Sequence, residues 1–238
     1  MTRQKHKVWA VIPVKPFALA KGRLAPVLAA GERATLARLM FEDVLDVMSL
    51  CRAILAGTVV VTSDPAAAAL AQKSGAAVVF DQTDNGINAA VCLAIEHIGA
   101  DHGLVVVPSD IPHITPEAIA AAAHAILPMG AMAIAAASHD RGTNLLACRP
   151  AGETPLHFGR DSFDLHCRLA VQACISVHEL RLPELALDLD RPQDLCRFLS
   201  LESRTRTHEF LSQPGIRARL ERLGEEPEKA GLAVAGAG

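Results

Sequence analysis

The sequence predicts an α/β fold, a single Rossmann-like domain whose mostly parallel central sheet is flanked by helices. Three observations carry this. Short, uninterrupted apolar runs recur between helical segments, helix-start signals stand directly behind several of them, and the length suits one core. The chain has 238 residues, 50% hydrophobic and 21% charged, which is enough to bury one large core within the ordinary single-domain range. Apolar runs without polar alternation are the mark of strands covered on both faces, as in parallel sheets.

Taken in order, Val8 to Val14 forms the first such run and closes on Pro and Lys. A polar loop, KPFALAKGRLAP, leads into GERATLARLMFEDVLDVMSLCR, where Leu36, Leu39, Met40, Val44, Val47 and Met48 recur at helical spacing. TVVVTSD then reads as a strand, PAAAALAQKSG as a helix opened by Pro65 and ended at Gly75, and AAVVFD as the next strand. NGINAAVCLAIEHIGA supplies a helix and GLVVVPSD a strand. TPEAIAAAAHAIL supplies a helix with Thr115 as N-cap and Pro116 in its first turn, followed by AMAIAAAS as a strand. Strands separated by helices in this rhythm mean a parallel, doubly wound sheet.

After Ser138 the rhythm changes. RGTNLLACRP reads as a strand, GRDSFDLHCRLAVQAC as a capped helix, and ELALDLDRPQDLCRFL as a strand entering a helix. Near Ser200 the composition becomes charged, which divides the chain into a domain over 1–200 and a C-terminal tail over 201–238, partly helical or disordered. The stretch EEPEKAGLAVAGAG has little to bury and is expected to fray.

Composition excludes several classes of function. The net charge of −3, the absence of Tyr and the lack of a dense Lys/Arg block argue against a nucleic-acid partner. The cysteines at 51, 92, 148, 167, 174 and 196 form no CxxC pair, so buried reduced thiols are expected rather than a zinc knuckle or a disulfide framework. The apolar run behind the basic prefix MTRQKHK is too short for a signal peptide, and no stretch has the roughly 18 to 20 apolar residues of a membrane span. A cytoplasmic protein without a membrane partner is expected; whether it forms a homodimer stays open.

In an open parallel sheet, ligands bind beyond the carboxyl ends of the strands. Polar clusters stand there: Lys15, Lys21 and Arg23 after the first strand, Ser63 and Asp64 after the second, Asn85 to Asn88 after the third, Ser109 and Asp110 after VVVP, and Asp188 and Asp190 after ELAL. Neither GxxxxGK[ST] nor GxGxxG is present, so the two commonest phosphate cradles are absent. Lys15, Lys21, Gly22 and Arg23 could wrap a triphosphate by side-chain charge and backbone N–H groups, although such a loop is more often a solvated surface. Asp110, flanked by prolines behind an apolar strand, would need a partner for its charge. Asp188 and Asp190 alternate along an extended segment and would face one side, so the three carboxylates could share a hard cation, which favours Mg²⁺. Asp190 also stands where a helix N-cap would. No histidine is arranged as HExxH, and no GxSxG elbow exists.

These residues resemble the guanylyltransferases of deazaflavin coenzyme F-420 biosynthesis called CofC or FbiD, related to the molybdopterin nucleotidyltransferases. The likeness runs through VIPVKPFALAKGRLAPVL, ERATLARLMFEDVL, VTSD, DNGINAA, VVVPSDIPHI, GTNLL, HFGRDSFDLH and LDLDRPQDL in order, over about residues 8 to 200. The resemblance implies a nucleotidyltransferase fold in which Pro13, Val14, Lys15, Lys21 and Arg23 of the first loop wrap GTP, with Gly86 and Asn88 near the base or ribose. It implies Mg²⁺ on Asp110, Asp188 and Asp190, catalysis by Lys15, Lys21 and Asp110, and an acceptor acid cradled by Thr143, Asn144, Gly159 and Ser162. The acceptor would be 2-phospho-L-lactate, phosphoenolpyruvate or 3-phospho-D-glycerate. The chain departs from the family pattern at Ser109, often Ala, and Gly22, often Ser. Transfer to molybdopterin or a sugar phosphate is the rival reading, against which GTNLL and FGRDSF count.

Overall fold

The computed structural model describes residues 7–223. Its elements follow the order β1 (Val8–Val14), α1 (Ala30–Leu50), β2 (Gly57–Thr62), α2 (Pro65–Lys73), β3 (Ala77–Phe80), α3 (Ile87–Ile98), β4 (Gly103–Val106), α4 (Pro116–Ala125), β5 (Ala131–Ala136), β6 (Thr143–Arg149), α5 (Ser162–Gln172), β7 (Ser176–Glu179), α6 (Pro183–Ala186), α7 (Pro192–Leu199) and α8 (Arg206–Leu211). The seven strands form one sheet in the order β3-β2-β1-β4-β6-β5-β7. β1 pairs in parallel with β2 and β4, β2 with β3, and β5 with β7. β6 alone runs antiparallel to its neighbours. The sheet is therefore mostly parallel rather than wholly so: β5 and β6 are joined by a short loop, and only a longer crossover could have kept them parallel.

Each face of the sheet has its own core. Ala10, Ile12 and Val14 of β1 pack beneath α1, α2, α4, α7 and α8, whereas Val11 packs beneath α3 and α5. That split explains the uninterrupted apolar run of β1, since every second residue meets a different helical layer. Helix starts follow side-chain chemistry where it is present. The Asp64 carboxylate accepts from Ala66 N–H at 2.8 Å and the Thr115 hydroxyl from Ala118 N–H at 3.2 Å, caps worth ~1 kcal/mol each.

Four expectations change. ELAL is no strand: α6 opens with Pro183, and 187–190 runs extended outside the sheet. The strand that follows β6 is instead β7, largely exposed and polar at the sheet edge. α5 lacks a side-chain cap, because Asp161 sits in the left-handed region at φ 54° and its carboxylate does not reach the helix N–H groups. The thiols are all unpaired, but only Cys51 and Cys148 are buried, while Cys92 and Cys174 are exposed.

Within 201–223, Leu211, Ile216 and Leu220 are buried in the same core as α1. Asp43 of α1, 5% exposed, accepts from Arg206 N–H at 3.0 Å, Thr207 N–H at 3.0 Å and the Thr207 hydroxyl at 2.6 Å. The stretch expected to fray, 225–238, lies outside the described residues. Among the described residues no helix is long and apolar enough to cross a membrane.

Candidate active site

A cleft of about 570 Å³ opens beyond the carboxyl ends of β1 to β4. Pro13, Val14, Lys15, Lys21, Gly22, Arg23, Gly86, Ser109, Asp110 and Asp190 line it, with Phe17 and Met40 as apolar wall. The loop from Lys15 to Leu24 is held at its root by Phe17 N–H, which donates to Asp64 Oδ2 at 2.8 Å. Asp64 therefore serves the architecture twice, as N-cap and as anchor.

Lys21 is the centre of the charge. Its backbone is left-handed, φ 58°, and its side chain is only 6% exposed. Nζ lies 2.6 Å from Asp110 Oδ2 and 3.6 Å from Asp190 Oδ1, while Arg23 Nη1 meets Asp190 Oδ2 at 2.5 Å. Burial alone would lower the lysine pKa, but the carboxylates of Asp110 and Asp190 outweigh it and the net direction is upward. Asp188 moves the other way from an ordinary paired carboxylate. Burial and then the like charge of Asp110 raise its pKa against a hydrogen bond from Asn144 and the pull of Lys21.

The extended segment behind α6 presents these groups as its alternation predicts. Leu187 and Leu189 are buried, Asp188 and Asp190 are half-buried on the opposite side, and Leu189 N–H donates to Asp110 O at 3.1 Å. Asp190 is not a cap. Asp194 takes that work, its Oδ2 accepting from Asp190 N–H at 3.1 Å and Arg191 N–H at 2.7 Å while Oδ1 meets the His139 ring. The Asp190 carboxylate is thereby left to the cleft.

Thus Asp110 and Asp190, distant in sequence, meet at one ammonium group, and Asp188 stands near enough to act on its charge without lining the cleft. As the side chains stand, no set of three or more His, Cys, Asp or Glu residues among those described is disposed to grip a metal. The donor chemistry nevertheless fits a hard divalent ion. Three carboxylates, oxygen donors only, stand near the two cationic side chains of Lys21 and Arg23.

The other residues implied by the resemblance are placed differently. Asn88 does not line the cleft; its amide donates to Phe158 O at 3.0 Å and accepts from Phe158 N–H at 2.7 Å, tying α3 to the loop before α5. Thr143 and Ser162, 8% and 1% exposed, spend their hydroxyls on each other at 2.8 Å. His166 completes that network: Nε2 accepts from His157 N–H at 2.8 Å, so Nδ1 carries the proton and donates to Thr143 Oγ1 at 3.1 Å. Burial lowers the pKa of this histidine to about 4, with His157 adding to the effect. Asn144, 4% exposed, donates to Leu185 O at 2.9 Å and Asp188 Oδ1 at 3.2 Å. Gly159 adopts φ 148° with open space where a Cβ would stand, a conformation that suits glycine.

Asp81 is a cleft residue that the sequence reading passed over. Asp81, 4% exposed, lines the cleft while Oδ1 accepts from Thr83 N–H, Thr83 Oγ1 and Asp84 N–H at 3.0, 2.9 and 3.1 Å. Burial would raise its pKa, but these hydrogen bonds prevail and the carboxylate is held ionised. Its signal was available, since it ends AAVVFD as Asp110 follows VVVP.

Comparison with known proteins gives the family and the fold. The family described as "Guanylyl transferase CofC like" matches residues 8–228. A phosphoenolpyruvate guanylyltransferase of Roseiflexus castenholzii is 35% identical over 214 residues, covering 88% of this chain and 98% of that one. A 3-phospho-D-glycerate guanylyltransferase of Phenylobacterium zucineum is 34% identical over 209 residues, covering 85% and 94%. Among solved structures, a Desulfovibrio desulfuricans G20 protein assigned to the nucleotide-diphospho-sugar transferases superposes with TM-score 0.70 at 20% identity, covering 90% of this chain and 97% of that one. A nucleotidyl transferase of Methanothermobacter thermautotroptrophicus gives 0.59 at 17% identity, covering 81% and 95%. These two bear on the fold alone. The sequence match spans nearly every described residue, including the loop and the carboxylates around Lys21, and this chain belongs to the CofC-like guanylyl transferase family.

Proposed function

We propose that this chain transfers the guanylyl group of GTP to a small phosphorylated carboxylic acid, phosphoenolpyruvate, 3-phospho-D-glycerate or 2-phospho-L-lactate, and releases pyrophosphate, a step of coenzyme F-420 biosynthesis. The observation that carries this is the meeting of Lys21 with Asp110 and Asp190 at a cleft, with Asp188 close behind, in a chain of this family.

An oxygen of the acceptor phosphate attacks the α-phosphorus of GTP, and the bond from that phosphorus to the bridging oxygen of pyrophosphate breaks. A phosphate monoester with a second pKa near 6 is mostly dianionic at neutral pH, so no side-chain base is needed. The obstacle is repulsion: unit charges about 4 Å apart cost roughly 4 kcal/mol at an effective dielectric near 20. Lys15, exposed at the cleft, and Lys21 supply positive charge to the triphosphate and the leaving pyrophosphate, and Arg23 extends it toward the mouth. Asp110, Asp188 and Asp190 would hold Mg²⁺, which would neutralise phosphate charge where the two polyanions meet. The resemblance assigns the acceptor acid to Thr143, Asn144, Gly159 and Ser162; the hydroxyls of Thr143 and Ser162 would have to exchange their mutual bond for it.

The test is incubation of the chain with GTP, Mg²⁺ and each of the three acids in turn, following pyrophosphate and product mass. One acid is expected to give both pyrophosphate and a product heavier by a guanylyl group. GTP binding without pyrophosphate from any of them would instead mark a nucleotide-binding module.

A further inference from the structure

We propose that Asn144 is a positioning residue that holds the Asp188 carboxylate in the orientation needed to bind the divalent ion; this rests on the metal reading above. The argument begins with the sheet. Leu145 and Ala147 of β6 face the α1 side and Leu146 and Cys148 the α3 side, so strict alternation would send Thr143 with Leu145 and Asn144 with Leu146. The register does not permit it. Ala135 pairs with Leu145 but Ala136 pairs with Thr143, which leaves Asn144 as the extra residue of a β-bulge. Bulges re-aim side chains, and this one sends Thr143 to Ser162 and His166 on the α5 side and Asn144 to α6 and the segment behind it.

The amide that arrives there is nearly enclosed and donates twice. One N–H goes to the carbonyl oxygen of buried Leu185 at 2.9 Å, which orients the amide; the other goes to Asp188 Oδ1 at 3.2 Å. Asp188 thus has one oxygen bound by a donor anchored to the backbone of α6. No atom of Asn144 lines the cleft, so its influence on the reaction passes through Asp188. Residues behind a ligand commonly alter metal affinity or activity 10- to 100-fold when removed.

The experiment titrates Mn²⁺, read by electron paramagnetic resonance, into the full chain with GTP and no acceptor, for the unaltered protein, Asn144→Ala, Asp188→Asn and the double variant. Asn144→Ala is expected to weaken Mn²⁺ binding about 10- to 100-fold, and to add less than about threefold on the Asp188→Asn background, because the effect travels through that carboxylate. Turnover should fall through kcat with the KM for the acceptor nearly unchanged. Thr154→Val, which removes a buried hydrogen bond to Pro150 O elsewhere, should leave Mn²⁺ binding unaltered. Should Asn144→Ala not fold, Asn144→Ser, which loses the reach to Asp188, is expected to show the same weakening. Equal Mn²⁺ affinity in variant and unaltered chain, or a raised acceptor KM with metal binding intact, overturns the proposal and leaves Asn144 a substrate contact. If the unaltered chain binds no Mn²⁺, the metal reading fails and this proposal with it.

Discussion

Lys21 holds a backbone conformation that costs a non-glycine residue about 1 to 2 kcal/mol, and the bonds from Nζ to Asp110 and Asp190 are what make it tolerable. Strain of that kind collects where a side chain must be aimed. Asp110→Asn, which keeps an acceptor oxygen for Nζ but removes the charge, should leave the chain folded with some loss of stability while lowering kcat for pyrophosphate release at least ~10²-fold; unchanged turnover in that assay would reject the assignment of Asp110. His166 gives a residue-scale prediction of a different kind. Its folded pKa, about 4, lies below the unfolded value near 6.5, so the unfolded chain binds the extra proton. The resulting stability is fully present above pH 6.5 and is lost progressively as pH falls toward 4, on the order of 3 kcal/mol in all. Melting curves at pH 7.5 and 4.5 should show a smaller acid loss for His166→Gln than for the unaltered chain.

At the scale of elements, chemistry carried by single residues was legible and geometry shared between segments was not. Thr115 and Pro116 announce α4 because the cap is a local hydrogen bond, and Asp188 and Asp190 announce a shared side because alternation is intrinsic to an extended chain. The rule that ligands sit beyond strand ends brought Lys21, Asp110 and the Asp188 pair to one rim without any contact being known. By contrast, ELAL reads as a strand by its apolar pattern, yet Pro183 starts a helical turn, and SVHE escapes notice because an exposed edge strand has no apolar face to betray it. The fates of Thr143, Asn144 and Ser162 depend on a bulge and on the left-handed Asp161, neither of which has a composition signature. The junction of α1 with α8 is testable. Asp43→Ala would strip a buried acceptor from three donors, and unsatisfied buried groups cost about 1 to 3 kcal/mol. Urea denaturation should show a loss of that order, with Asp43→Asn intermediate.

The described residues form one sheet between two helical layers, and 201–223 belong to one of those layers. Leu211, Ile216 and Leu220 are 0%, 3% and 2% exposed, and burying a side chain of this kind is worth about 1.5 to 3 kcal/mol. Together with the bonds to Asp43 their loss would consume much of the 5 to 15 kcal/mol by which a typical domain is stable. The same helices cover α1, and α1 forms part of the cleft wall through Ala37 and Met40, so residues 201–223 support the cleft from behind without lining it. A chain cut after Ser200 is therefore expected to aggregate or to unfold well below the full chain in a thermal melt, with GTP binding lost at the same time. A chain cut after Leu223 keeps every buried contact described here and should melt within a few degrees of the full chain and retain turnover. If the cut after Ser200 left melting and GTP binding intact, the packing of 201–223 would be incidental and the boundary drawn from composition near Ser200 would stand as a physical one.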